Sequence, residues 1–104
     1  MTAAKAQTTF FPGTVDEFLS AVEENESLAV EFFVRNQPGR INDWSSTGHV
    51  AVVTAAGFGH YIILDHLLKN NADVNVQNKA GETALMAAAA IGDEGAVRLL
   101  LSKD

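Results

Sequence analysis

The sequence predicts an all-α protein, a solenoid of about three helix–turn–helix units. The first observation is a period of 33 residues, because small and apolar residues of one segment recur 33 positions later. The second is the spacing of apolar residues by three and four within each candidate helix, as in Ile63, Leu64, Leu67 and Leu68. Such a period is typical of stacked supersecondary units. The matching pairs are Gly48 with Gly81, Ala51 with Ala84, Ala55-Ala56 with Ala88-Ala89, Gly59 with Gly92, and Leu67-Leu68 with Leu100-Leu101.

The first unit opens with a helix start signal. Thr14 is followed three residues later by Glu17, which is the pattern of a capping box. The pattern predicts a helix that runs to about residue 24. Asn25 is predicted to break this helix and to cap a second one ending near residue 36.

The remaining units follow the same plan. The apolar residues of the first unit precede those of the middle unit by 34 positions, which predicts one inserted residue in the loop between Arg35 and Arg40. Two polar linking segments that end in glycine, 41–48 and 74–81, suit tight turns or short hairpins. The predicted helices lie near 51–58 and 61–70 in the middle unit, and near 84–91 and 94–102 in the last unit.

Length and composition narrow the classes of function. A chain of 104 residues fits one domain, and its 47% hydrophobic content is that of a folded chain. The absence of cysteine excludes a disulfide framework, a thiol nucleophile and a cysteine-ligated metal. Thirteen acidic and seven basic residues give a net charge of −6, and the basic residues are scattered, so nucleic acid is a poor partner.

Export and membrane insertion are not expected. The first 13 residues contain one lysine and no apolar core of signal-peptide length, so we expect a cytoplasmic protein. Residues 44–64 lack charged side chains, but two polar or glycine-rich breaks favour a pair of short buried elements over a membrane span. The expected organisation is a flexible arm over 1–13 and a repeat domain over 14–104, with units of about 14–44, 45–77 and 78–104.

Residues 48–101 resemble the ankyrin repeat. The motifs that carry the resemblance are Ala72-Asp73-Val74-Asn75, Gly81 with Thr83 and Leu85, Ala88-Ala89 with Gly92, and Val97 with Leu99-Leu100-Leu101. The middle unit matches through Gly48, Ala55-Ala56, Gly59-His60 and Leu67-Leu68. The first unit matches only by its apolar pattern and looks like a degenerate N-terminal repeat. The Thr-Pro-Leu-His tetrapeptide of the family is Val50-Ala51-Val52-Val53 in the middle unit, so the threonine and histidine hydrogen bonds of that motif should be missing there.

The resemblance implies antiparallel helix pairs with hairpin-like fingers that project from them. The two linking segments, each with the residue that follows it, would form the first finger (41–49) and the second finger (74–82). It also implies a non-catalytic module that binds another protein through finger tips and the exposed side of each first helix. Carried over by position, the expected partner-binding residues are Trp44, Ser46, Thr47, His49, Phe58, Gln77, Lys79, Glu82 and Ile91, with Gly57, Ala80 and Ala90 among their neighbours.

Two features have a functional and a purely structural interpretation. Trp44 and Phe58 are aromatic anchors for a partner if exposed, but the stretch Phe10-Phe11-Pro12 could instead fold over Phe58 or the first helix pair. The first helix pair is acidic, with no basic residue between 14 and 34. It could attract a basic partner or serve only as a solubilising cap.

Catalysis, metal and cofactors are not expected. The three histidines, His49, His60 and His66, are the only obvious metal or acid–base candidates, and no carboxylate pair accompanies them at a metal-binding spacing. No nucleotide-binding or nucleophile motif is present in the sequence.

The last predicted helix is too apolar for a C-terminal cap, with Ala96, Val97, Leu99, Leu100 and Leu101. We therefore expect self-association at this end, or continuation into a longer array. The expected function is protein binding, as an inhibitor or adaptor. The alternative is an N-terminal piece of a longer ankyrin scaffold whose surfaces serve packing. An exposed Trp44 favours the first function, and a Trp44 buried by the arm favours the second.

Overall fold

The computed structural model describes residues 12–103, so of the predicted arm only Pro12 and Gly13 lie within the described residues. Pro12 is buried and Gly13 is exposed. The helices of this range are α1 (Val15–Glu23), α2 (Ser27–Asn36), α3 (Ala51–Gly57), α4 (Tyr61–Lys69), α5 (Ala84–Ala90) and α6 (Glu94–Lys103), and a short 3₁₀ helix covers Pro38–Arg40. These elements confirm the predicted all-α solenoid of three helix pairs.

The capping box predicted for α1 is present. The Thr14 hydroxyl accepts a hydrogen bond from the Glu17 backbone N–H at 3.1 Å, and the Glu17 carboxylate accepts one from the Thr14 N–H at 3.2 Å. A further bond from the Gly13 N–H at 3.0 Å reaches the same carboxylate. These bonds from backbone N–H groups, first that of Gly13 and then that of Thr14, lower the pKa of Glu17 below its ordinary value.

Each helix pair reverses direction at one residue in the left-handed region. Gly59 and Gly92 have φ angles of 74° and 73°, and Asn25 takes the same place in the first pair with φ 60°. The prediction that Asn25 caps α2 is wrong, because the residue before α2 is Glu26, which makes no side-chain cap bond. Asparagine tolerates this conformation better than most residues with a side chain, so here it substitutes for the turn glycine.

One backbone hydrogen bond closes all three reversals. In each pair the N–H of the residue after the left-handed position donates to the carbonyl of an alanine on the first helix. The three bonds join Glu26 to Ala21 at 2.9 Å, His60 to Ala55 at 2.9 Å, and Asp93 to Ala88 at 3.0 Å. The 33-residue register seen in the sequence is therefore also a register of backbone geometry.

The first helices pack side by side, with α3 between α1 and α5. Every residue from Ala51 to Ala56 is buried, and Ala84 and Ala88 are fully buried on α5. A methyl group added at Gly57 would lie only 3.6 Å from the Ala87 methyl. Small side chains therefore set a close approach between α3 and α5.

The second helices α2, α4 and α6 form a second layer against the first helices. Their apolar stripe supplies most of the large side chains of the core, and the rings of Phe18 and Phe33 stack with centroids 4.1 Å apart. The large fully buried side chains of this layer are Val30, Phe33, Ile63, Leu64, Leu67 and Leu100.

The two fingers are closed by matching backbone bonds. In the first, the Ser45 N–H donates to the His49 carbonyl at 2.8 Å; in the second, the Asn78 N–H donates to the Glu82 carbonyl at 2.9 Å. Gly48 and Gly81 lie within these loops at φ 82° and 84°. Hairpin-like fingers are thus present, and over residues 12–103 they consist of turns without strands. The inserted residue predicted after α2 is accommodated by the 3₁₀ helix.

Candidate partner-binding surface

The residues that end the first helices form a row across the three units. The C-cap positions of α1, α3 and α5 are Glu24, Phe58 and Ile91, and all three side chains are exposed. Phe58 is 57% exposed and Ile91 is 52% exposed. Each of these side chains lies at the end of a helix, one residue before the left-handed residue of the turn. We call Glu23, Glu24, Phe58 and Ile91 the C-cap row.

Contacts with the turn residues join the members of the row. The Phe58 ring lies 5.7 Å from the His60 ring, and the His60 Nε2 lies 3.0 Å from the Glu23 carbonyl oxygen. On the other side, Ile91 Cδ1 lies 3.6 Å from the position that a Cβ on Gly59 would take. The row is therefore one continuous surface from α1 to α5.

The Trp44 side chain connects the first finger to the second. Its indole N–H donates to the Gln77 carbonyl at 2.8 Å, while 52% of the residue remains exposed. The bond spans 33 residues, so it connects equivalent positions of successive units. The aromatic residues predicted as a cover, Phe10 and Phe11, lie outside the described residues.

The finger tips are also held by hydrogen bonds. The Lys79 N–H donates to the Gly48 carbonyl at 2.9 Å, and a Cβ on Gly48 would overlap the Lys79 Cβ. Within the second finger, the Glu82 carboxylate accepts from the Asn78 amide at 3.0 Å, and the Glu82 N–H donates back at 2.9 Å. These hydrogen bonds fix the finger backbone that carries the exposed side chains.

Ser46 ties the first finger to α1 through Asp16. The Asp16 carboxylate accepts from both the hydroxyl and the backbone N–H of Ser46, the latter at 2.7 Å. These two bonds, the hydroxyl bond first, lower the pKa of Asp16 below its ordinary value because they stabilise the carboxylate. The finger is therefore held against an ionised side chain.

A polar depression of about 240 Å³ opens between α1 and the first finger. Its two lining carboxylates, Asp16 and Glu23, come from α1, and three of the predicted site residues line it from the first finger. The residues that line it are Asp16, Leu19, Ser20, Glu23, Ser45, Ser46, Thr47 and His49. The carboxylates of this depression can accept hydrogen bonds from a cationic side chain that enters it.

A family model described as ankyrin repeats (3 copies) matches residues 18–104. The chain belongs to the ankyrin-repeat family. The match includes most of the acidic first pair, so the unit that resembled the family only by its apolar pattern is an ankyrin repeat. Ankyrin repeats are generally protein–protein interaction modules and are typically non-catalytic.

The ankyrin units place the predicted site residues in three groups. Ser46, Thr47 and His49 meet at the depression beside α1. Trp44 and Gln77 are bonded to each other, and Lys79 lies against Gly48 beside them. The third group holds Phe58 and Ile91 on the C-cap row, while Glu82 stays within the second finger.

Sequence reasoning did not single out the exposed apolar residues on the second ankyrin helices. Leu28 and Ile62 are 76% and 70% exposed, and they occupy equivalent first-turn positions 34 residues apart. Tyr61 and Phe32 are also exposed on these helices. The sequence showed their shared register as part of the apolar pattern that matches the first unit to the middle unit. Only the fold distinguishes the inward positions from these outward ones.

The described part of the chain contains no cluster of three or more histidine, aspartate or glutamate side chains arranged to hold a metal ion. Among the helices of residues 12–103, none is long and apolar enough to cross a membrane.

Proposed function

We propose that this protein binds a partner protein through the C-cap row and the two fingers, as an inhibitor or adaptor in the cytoplasm that needs no cofactor. The observation that carries the proposal is the exposure of Trp44, Phe58 and Ile91 on a backbone fixed by hydrogen bonds. Exposed aromatic and large apolar side chains on one pre-ordered surface are typical of interface anchors.

Order before binding is the physical advantage of this surface. The indole of Trp44 is already bonded to Gln77, and the finger tips are bonded through Lys79 and Gly48. Binding therefore immobilises few additional side chains, which lowers the entropic cost of association. A partner whose active or docking site lies under this surface would be inhibited by being covered.

Affinity capture from a lysate of the source cells tests the proposal. The Trp44→Ala, Phe58→Ala double variant should lose a protein that the wild type retains. The matched control is Leu28→Ala, Ile62→Ala, which also removes two exposed apolar side chains but from the second helices. All three proteins should first be shown to melt alike. Equal capture by the wild type and the Trp44 and Phe58 variant would contradict the proposal.

A second candidate function is that of one segment in a longer scaffold. Met86 and Leu101 are exposed on the last unit, whereas the equivalent Val53 and Leu68 are buried on the middle unit, which packs against the last unit. A further repeat would cover Met86 and Leu101 in the same way. Light scattering over a range of concentrations tests this candidate, because an open repeat face should associate. A stable monomer at high concentration would contradict it.

A further inference from the structure

The C-cap row has two ends of different chemistry. At α1 it carries the carboxylates of Glu23 and Glu24, and at α3 and α5 it carries the apolar side chains of Phe58 and Ile91. Within the described part of the first unit, no lysine or arginine precedes Arg35. The acidic end therefore has no cation on its own helix pair before the end of α2.

His60 is the polar group between the two ends. Its Nε2 lies against the Glu23 carbonyl and its ring lies beside Phe58, so it continues the surface from the acidic to the apolar side. The depression beside α1 is lined by the carboxylates of Asp16 and Glu23, and Asp16 already accepts two hydrogen bonds from Ser46. The acidic end is thus open chiefly at Glu23 and Glu24.

The spacing along the row is set by helix packing. The first helices are neighbours, and the axes of packed helices lie about 8–10 Å apart. A polyproline II segment has three residues per turn and rises about 3.1 Å per residue, so every third side chain points the same way after about 9 Å. A β-strand does not fit, because side chains three positions apart in a strand point to opposite sides.

From this match of spacing and charge we infer that the row recognises a polyproline II segment of a partner protein, with lysine or arginine, an apolar residue and a second apolar residue at successive third positions. The cation lies at Glu23 and Glu24, and the two apolar side chains lie on Phe58 and Ile91. The segment can bind in either chain direction, because the row contacts only its side chains. This inference rests on the proposed function and names the chemistry of its partner.

Synthetic peptides test the inference directly. The probe is a fluorescein-labelled peptide with the core Lys-Pro-Pro-Leu-Pro-Pro-Leu, together with its reversed sequence, and binding is measured by fluorescence anisotropy. We expect one or both to bind, and the same peptides with Glu in place of Lys to bind at least several-fold more weakly. A second peptide tests the alternative that the partner segment is an α-helix. It carries the same three side chains seven residues apart, so that they lie on one face of a helix. Binding of that peptide alone would overturn the inference.

Protein variants then locate the contact. Glu23→Gln, Glu24→Gln should weaken binding of the lysine peptide by about two- to tenfold, the range expected for two exposed ion pairs, and should reduce its salt dependence. The matched control is Glu31→Gln, Glu94→Gln, which removes two carboxylates of the second helices and should leave binding unchanged. Phe58→Ala should weaken the lysine and glutamate peptides alike. Thermal melts establish that each variant is folded.

The outcomes separate the inference from the proposed function. If lysate capture depends on Trp44 and Phe58 while the peptides fail to bind, the surface binds a protein and the inferred segment is wrong. Peptide binding that is equal in wild type and in the Glu23 and Glu24 variant likewise overturns the inferred charge recognition. Weaker binding of the lysine peptide to that variant and to Phe58→Ala, with the control unchanged, supports the inference.

Discussion

The middle and last units carry apolar residues at the same positions but differ in how many of them are buried. Val53 is 5% exposed and its counterpart Met86 is 55% exposed, and the same holds for Leu68 at 6% and Leu101 at 55%. The middle unit packs against the first unit and the last unit, whereas the last unit lies at one end of the row of helix pairs within residues 12–103. In a solenoid, therefore, the neighbouring repeat decides whether an apolar residue belongs to the core.

The two units also begin their first helices differently. In the last unit the Thr83 hydroxyl accepts a hydrogen bond from the Met86 N–H at 3.3 Å. In the middle unit the same position is Val50, which is fully buried and provides no side-chain cap, as the sequence predicted. The middle unit thus relies on burial where the last unit relies on a local bond.

The largest expected difference in the free energy of unfolding is between Leu68→Ala and Leu101→Ala. Deleting the buried Leu68 side chain should cost about 2–5 kcal/mol of unfolding free energy, because it leaves a cavity between repeats. The same deletion at the exposed Leu101 should cost less than about 1 kcal/mol. Urea unfolding followed by circular dichroism measures both. Equal losses would show that Leu101 is covered in solution, and a milder Leu68→Val variant serves if Leu68→Ala does not fold.

The next effect compares Gly48→Ala with Gly81→Ala. Both glycines have positive φ, so alanine at either position should cost about 1–2 kcal/mol. At Gly48 the new methyl would also meet Lys79, whereas at Gly81 no atom lies within 4 Å. We expect a further loss of about 1–3 kcal/mol at Gly48 alone. Equal urea midpoints for the two variants would mean that Lys79 moves away from residue 48 at no cost. That result would contradict the hydrogen-bonded contact between the two finger tips.

A smaller effect tests the local caps. Thr83→Ala should reduce the unfolding free energy by about 1 kcal/mol, because the Met86 N–H loses its acceptor. Thr14→Ala should cost a similar amount or more, since it also disrupts the reciprocal bond with Glu17. Thr83→Ser is the control that keeps the hydroxyl and should recover most of the loss. An unchanged midpoint for Thr83→Ala would show that solvent replaces the cap at no cost.

The sequence predicted local structure well and long-range contacts poorly. The helices of the middle and last units end within one residue of their predicted ends, because glycine positions and apolar spacing are local signals. Asn25 was misassigned because asparagine suits both a helix cap and a left-handed turn, and the choice depends on the register of the following helix. That register was present in the sequence as the equivalence of Asn25 with Gly59 and Gly92.

The candidate surface shows the same division. The bonds from Trp44 to Gln77 and from Ser46 to Asp16 join residues 33 and 30 positions apart, and side-chain type alone does not specify such pairs. The sequence placed Trp44, Ser46 and Gln77 on fingers only through the family resemblance, and Asp16 lies on α1. It could not determine that the tryptophan is fixed by its indole while remaining half exposed, since exposure depends on how neighbouring fingers pack.

The smallest expected effect concerns acid and the first unit, where the two lowered pKa values lie. A carboxyl group with a lower pKa in the folded state stabilises the fold above its unfolded pKa, and this stabilisation is lost as the pH falls through the folded pKa. For Asp16 and Glu17 that window lies in the acidic range, at and below the ordinary pKa of carboxyl groups. We therefore expect acid to loosen the contact between α1 and the first finger, with little change between pH 6 and 8.

The Ser46 amide proton, which bonds directly to Asp16, reports this in NMR spectra, and its shift should titrate below the ordinary aspartate value. Asp16→Asn should abolish that titration, while Glu31→Gln should leave it unchanged. A Ser46 amide shift that titrates at the ordinary aspartate value would mean that the bonds to Asp16 do not persist in solution, and the first finger would then have lost these two bonds to α1.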